Sequence, residues 1–160
     1  MLLIYPGTFD PITRGHTDLV ERSLCLFDKV IVAIAEDTKK KTIFPCAKRV
    51  ELASKVLAEY PNVEIEPFSG LLVDFAKQKG AKAILRGLRA MSDFEYEFQL
   101  AGINRHLNSE IETIFLTPSA EYTYVSSSII REMASLGADI SAFVHPVVAQ
   151  ELHGLTWRKQ

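Results

Sequence analysis

The sequence predicts an α/β domain built on a doubly wound, five-stranded parallel sheet, and three observations predict it. Strand-like and helix-like apolar patterns alternate along the chain, which implies right-handed crossovers between parallel strands. Residues 29–35 form a continuous apolar run, the mark of a parallel strand covered on both faces. Residues able to do chemistry follow directly after the strand segments, where ligands bind in such sheets.

Residues 2–5 are the first strand, and Pro6, Gly7 and Pro11 mark the turn that follows. Residues 16–27 are a helix with Leu19, Val20, Ser23, Leu24 and Phe27 at helical spacing, and Cys25 on the same stripe is expected in the core. After the second strand (29–35), a polar loop carrying Lys39, Lys40 and Lys41 leads to a helix over 47–60. Residues 62–68 alternate as a third strand, and 72–79 form a short helix stopped by Gly80. Residues 83–85 are the fourth strand and 93–107 a long amphipathic helix. Residues 113–116 are the fifth strand, 127–136 a helix opening in a serine cluster, and 146–153 a last helix. No repeat, linker or low-complexity stretch interrupts the pattern. With 160 residues, one domain over 1–160 is expected, large enough to bury a core without staples.

Hydrophobic residues make up 48% of the chain and charged residues 24%, the balance of an ordinary globular protein. A net charge of −2 argues against a nucleic-acid or membrane-surface partner, since both need a basic field. No segment approaches the ~20 apolar residues of a membrane span, and no basic-then-apolar leader opens the sequence. Cys25 and Cys46 make no metal spacing with each other, which fits a reducing cytoplasm.

The richest stretch is the first turn, Pro6-Gly7-Thr8-Phe9-Asp10-Pro11-Ile12-Thr13-Arg14-Gly15-His16. A strand runs through it into a helix whose free N–H groups suit an anion, while Thr8 adds a hydroxyl and His16 an imidazole. Such a loop also serves elsewhere as a mere connection, and a His at a helix start as a mere cap. Arg86-Gly87-Leu88-Arg89 follows the fourth strand: two guanidiniums suit bidentate phosphate capture, with Gly87 allowing close backbone approach. Alone, that pair fits equally well as solvated arginines or as partners for Asp93, Glu95 and Glu97. Of Lys39, Lys40 and Lys41, two are expected on a solvated face, while one is placed to swing onto phosphates as a point charge. Tyr122-Thr123-Tyr124-Val125-Ser126-Ser127-Ser128 puts three hydroxyls at a helix start, where capping needs only one and a triphosphate could use the rest.

Thr8-Phe9-Asp10-Pro11 followed by Thr13-x-Gly15-His16 resembles the nucleotidyltransferase signature, a relative of the His-x-Gly-His motif. Thr13 at the first His position narrows the resemblance to the phosphopantetheine adenylyltransferase family, over roughly residues 1–150. Ser126-Ser127-Ser128-x-x-Arg131 is similar to that family's serine motif. The resemblance implies a Rossmann-like nucleotidyltransferase fold and a reaction of ATP with 4′-phosphopantetheine to give dephospho-coenzyme A and pyrophosphate. It implies Thr8, His16, Lys40 and Arg89 at the reacting phosphates, with Lys40 singled out from its neighbours by the family alone. It implies Thr8, Lys40, Leu72 and Arg86 on the phosphopantetheine side. ATP would be held by Thr8, Phe9, His16, Gly87, Leu88, Arg89, Glu97 (at the ribose), Tyr122, Thr123, Tyr124, Val125, Ser126, Ser127 and Ser128. Tyr122 stands where relatives often carry Trp. The family also implies Mg²⁺, with no ligand residue assigned here, a homohexamer, inhibition by coenzyme A and a cytoplasmic setting.

The chemistry is consistent with that family. A phosphomonoester with a second pKa near ~6 is largely a dianion at neutral pH and needs no general base. Positioning and charge stabilisation can then suffice for in-line attack on the α-phosphorus, without a covalent intermediate. The nearest competing reading is a nucleotidyltransferase with another phosphorylated acceptor, or one using CTP. Thr13 and the Arg86–Arg89 pair count against it. A non-catalytic nucleotide-binding module would need a phosphate cradle but has no use for His16, Lys40 and Arg89 together. A dinucleotide-dependent oxidoreductase is disfavoured, because no Gly-x-Gly-x-x-Gly follows the first strand.

Overall fold

Period-two alternation along the inner strands sends their side chains to two separate cores. The computed structural model describes residues 1–39 and 41–157. Its strands are β1 (Leu2–Gly7), β2 (Lys29–Ala35), β3 (Val63–Phe68), β4 (Ala83–Gly87) and β5 (Glu112–Leu116). All pair in parallel, in the order β3-β2-β1-β4-β5. Leu3 and Tyr5 of β1 and Val30, Val32 and Ile34 of β2 join the larger core, and Ile4, Ile31 and Ala33 the smaller one. That two-sided burial is why β2 reads as an unbroken apolar run.

Among the described residues six helices cover the sheet: α1 (Arg14–Leu24), α2 (Cys46–Val56), α3 (Leu72–Gln78), α4 (Met91–Leu107), α5 (Ser127–Ser135) and α6 (Pro146–His153). Leu19 and Val20 of α1, Leu52 and Ala53 of α2, Ile130 of α5 and Val148 and Leu152 of α6 fill the larger core. Val73 and Ala76 of α3 cap the smaller core. A short 3₁₀ turn at Ala120–Tyr122 precedes α5. Because the chain winds outward from β1 on one side and resumes at β4 on the other, the carboxyl ends of β1 and β4 flank the topological switch point.

Every element expected from the sequence is present, with shifted ends. β1 and β4 each run two residues further toward the site, and α1 starts at Arg14 because Thr13 caps it. Two expectations are corrected. Cys25 lies at the C-cap of α1 and is exposed, since the stripe turns outward before it. Helix α4 is not amphipathic with respect to this chain: Phe94, Tyr96, Phe98, Ile103 and Leu107 are exposed, while the one buried side chain among its described residues is the acidic Glu97.

Candidate active site

A cleft of about 420 Å³ opens over the switch point, walled by the loops after β1, β2, β4 and β5. The loop after β3 does not reach it, so four of the five strand ends converge rather than all five.

The floor begins with a strained turn. Phe9 has φ 49°, a left-handed conformation that costs a non-glycine residue about 1 kcal/mol or more. Packing holds it there: Phe9 is buried, with its ring edge-on to Tyr5 at 5.2 Å and to His16 at 4.8 Å. Gly7 makes room, because a Cβ at that position would lie 2.9 Å from Phe9 Cε2. Burial pushes the Tyr5 hydroxyl well above its ordinary pKa, so it remains a neutral donor.

His16 occupies the third position of α1 and closes a capping box with Thr13. The Thr13 backbone N–H donates to His16 Nδ1 at 2.9 Å, and Thr13 Oγ1 lies 3.1 Å from the same nitrogen. An accepting Nδ1 places the ring proton on Nε2, and His16 lines the cleft. Burial, with a smaller contribution from the Arg89 charge, lowers the His16 pKa from 6.5 to about 4. The imidazole is therefore neutral at pH 7, a fixed donor rather than a cation or a base. Thr8, on the same turn, lines the cleft beside it.

The opposite wall carries the arginines. Arg86 shares a sheet face with Ile84, two residues earlier, and so points toward α4. There it meets Glu97 in a bidentate pair, Nε to Oε2 at 2.7 Å and Nη2 to Oε1 at 2.6 Å. Glu97 raises the Arg86 pKa further and fixes the plane of its guanidinium. The partner reading of Arg86 is thus realised, and both residues still line the cleft. Arg89 is exposed and reaches Val125 O at 3.4 Å, tying the β4 loop to the serine loop. Gly87 sits against α1: a Cβ there would lie 2.8 Å from Leu19 Cδ1.

The three serines divide their work. Ser126 is the N-cap of α5 and accepts from Ile129 N at 3.2 Å. Ser127 Oγ donates to Pro11 O at 2.7 Å, and Ser128 Oγ lies 3.3 Å from Arg131 Nη2. Arg131 Nη1 donates to Asp10 O at 2.7 Å, so α5 is pinned to the β1 turn. On the other flank, Asp18 of α1 accepts from Ser119 N at 2.9 Å and from Ser119 Oγ, which sets the approach to Tyr122.

Thr8, Phe9, His16, Arg86, Gly87, Arg89, Glu97, Tyr122, Val125, Ser126, Ser127 and Ser128 all line this one cleft, with Lys41 and Thr42 at its edge. Lys40 lies outside the described residues. Leu72, Leu88, Thr123 and Tyr124 are not on the wall; Leu72 packs with Phe68 and Phe75 at the smaller core, and Tyr124 is 85% exposed. Sequence reasoning missed Tyr5 and two buried charged residues that do not pair with each other, Asp10 and Arg49. Tyr5 reads as strand core, and nothing marks Arg49 among the surface-type residues of its helix. Among the described residues no three His, Cys, Asp or Glu side chains cluster as a metal cage. The cleft thus brings together a neutral imidazole donor and two arginines, a set whose chemistry suits an anion, and among the described residues no nucleophile there is activated by a base.

Residues 4–133 match the cytidylyltransferase-like family. The chain is 59% identical over 149 residues to a phosphopantetheine adenylyltransferase of Thiobacillus denitrificans, covering 93% of each chain. It is 57% identical to a phosphopantetheine adenylyltransferase of Bordetella avium, covering 93% of this chain and 89% of that one. A solved structure from Vibrio parahaemolyticus, named as a nicotinate-nucleotide adenylyltransferase, superposes with a TM-score of 0.69 at 18% identity. It covers 96% of this chain and 98% of its own, a likeness of fold alone.

Proposed function

The chain belongs to the phosphopantetheine adenylyltransferase family, and we propose that its cleft moves the adenylyl group of ATP onto the phosphate of 4′-phosphopantetheine. The products are dephospho-coenzyme A and pyrophosphate, the penultimate step of coenzyme A synthesis. The observation that carries this reading is the locked imidazole: Thr13 N–H on Nδ1 leaves Nε2–H as a preorganised donor in the cleft that Arg86 and Arg89 also line.

An acceptor phosphate oxygen attacks the α-phosphorus in line as the α–β bridging oxygen departs with pyrophosphate. The acceptor is already a dianion, so no protein group need take a proton from it. His16 Nε2–H and the Thr8 hydroxyl donate to α-phosphate oxygens as charge shifts, the interaction that lowers the barrier. Arg89 meets the leaving phosphates, and Arg86, held flat by Glu97, meets the acceptor phosphate. Family resemblance implies Lys40 at the reacting phosphates, Leu72 on the phosphopantetheine side, and Leu88, Thr123 and Tyr124 at ATP. The serine loop receives the phosphate tail, with Phe9, Tyr122 and Val125 beside the nucleotide and Glu97 toward its ribose.

Mg²⁺ fits this donor set as an ion carried by the nucleotide. Asp10 is spent on Ile43 N and Phe44 N, and Glu97 on Arg86. Asp93 is a cleft carboxylate with no side-chain partner among the described residues, and it would contact the ion's water shell. Bound there, Mg²⁺ supplies charge neutralisation of the triphosphate.

The same reading includes a homohexamer, supported by the uncovered apolar residues of α4, and inhibition by coenzyme A, which shares the acceptor's pantetheine arm. A cytoplasmic setting belongs to it too; among the described residues no helix is long and apolar enough to cross a membrane. The test is mass spectrometry of the product formed from ATP, 4′-phosphopantetheine and Mg²⁺, with CTP run in parallel. Dephospho-coenzyme A from ATP alone is expected. Product from CTP in equal yield, or none from either, would overturn the assignment.

A further inference from the structure

We propose that Arg49 is a positioning residue for the reaction, clasping the base of the lysine-bearing loop to the Thr8 turn. It rises from α2, is 2% exposed, and among the described residues has no carboxylate within ion-pair distance. Its donors go to three backbone carbonyls instead. Nη1 donates to Thr8 O at 2.7 Å and to Ala35 O at 2.9 Å, and Nε donates to Phe44 O at 3.1 Å.

Those three carbonyls are not neighbours in sequence. Ala35 is the last residue of β2, where the chain departs toward Lys39, and Phe44 is where it returns, past Lys41, to the larger core. Thr8 is the cleft residue immediately before the left-handed Phe9. One planar cation thus fixes both anchors of the loop and ties them to the turn that meets the reacting phosphates. The Phe44 peptide is also held from its other side. The Asp10 carboxylate, itself 2% exposed, accepts from Phe44 N at 3.0 Å and from Ile43 N at 2.9 Å.

A buried cation is a poor choice for stability alone, because its desolvation is costly and an apolar side chain of similar volume would fill the space. The rigid fork of a guanidinium does what neither a methionine nor a lysine can: it holds several acceptors at set angles. Removing it leaves the loop base and the turn free to shift against each other. A misplacement of about 1 Å at reacting groups costs on the order of 10²-fold in rate.

The kinetic part rests on the proposed reaction; the structural part does not. Two variants, Arg49→Lys and Arg49→Gln, are compared with the natural enzyme by urea unfolding, by steady-state kinetics, and by limited trypsin digestion mapped at Lys39 and Lys41. Arg49→Lys is expected to unfold cooperatively and keep its KM for ATP. Its kcat should fall about 10²-fold. Cleavage after Lys39 and Lys41 should quicken about tenfold, the ratio for one or two lost hydrogen bonds. Natural cleavage rates and natural kcat in a folded variant overturn the clasp. So does activity that merely tracks the folded fraction in both variants, for Arg49 is then only a stabiliser. If the natural enzyme forms no dephospho-coenzyme A, the proposed reaction fails while the digestion still decides the clasp.

Discussion

His16 holds two roles that one pair of substitutions can separate. Its Nδ1 caps α1 by accepting the Thr13 N–H at 2.9 Å, and in the proposed reaction its Nε2–H is the donor offered to the α-phosphate. His16→Ala removes both. Loss of the cap bond costs about 1 kcal/mol of stability, or roughly 2–4 °C in Tm for a chain of this size. Loss of the donor costs about 2.7–4 kcal/mol in the transition state, on the order of 10²–10³ in kcat, with ATP affinity nearly unchanged. His16→Gln is the discriminating partner. A Gln at the third helical position can accept the Thr13 N–H as in an ordinary capping box, yet it cannot set an N–H where imidazole Nε2 lies. Tm should therefore recover in His16→Gln while kcat stays low. The readouts are continuous pyrophosphate release and thermal unfolding on the same preparations. If kcat recovers together with Tm, the imidazole is a cap and the catalytic role is wrong.

Other outcomes follow from the same geometry. Nitrogen-detected NMR should show His16 protonated on Nε2 alone at pH 7 and titrating near 4; a midpoint near 6.5 would contradict the burial argument. Since this pKa falls on folding, the folded state binds fewer protons than the unfolded one between the two values. Stability should drop as pH falls from 6.5 to about 4, by up to ~3 kcal/mol from this group, and urea titrations across that range check it. Gly7→Ala should destabilise by about 1–3 kcal/mol, because the new Cβ would lie 2.9 Å from a buried ring with no free rotamer; a neutral denaturation midpoint refutes it. Phe98→Glu on the open face of α4 should abolish assembly in sedimentation velocity, where the natural chain is expected at six times its 17.9 kDa mass.

The fold was legible because its signals are local and repeated. The run 29–35 has to be a two-sided strand, and Gly80, with φ 72°, ends α3 where its missing Cβ allows. The cleft was legible at and just beyond the strand ends: Arg86 near the end of β4, Thr8 and Arg89 on the loops that follow, and His16 in the first turn of α1. What escaped depends on distance in sequence. Glu97 is one of three acids open as partners to the arginines until α4 folds over β4 and brings it to Arg86, eleven residues earlier. Arg49 reads as a solvated arginine until three carbonyls, up to 41 residues away, enclose it. For α4, the apolar residues imitate an inward face, yet Phe94, Tyr96, Phe98, Ile103 and Leu107 are exposed in this chain.

Exchange of labelled pyrophosphate into ATP tests direct transfer between two bound substrates most sharply. With enzyme, ATP and Mg²⁺ alone, no label should enter ATP, because among the described residues the cleft holds no activated nucleophile to carry an adenylyl group. Adding dephospho-coenzyme A should start exchange by running the reaction backwards. Exchange without it would mean a covalent adenylyl-enzyme, and silence with it present would mean a different acceptor.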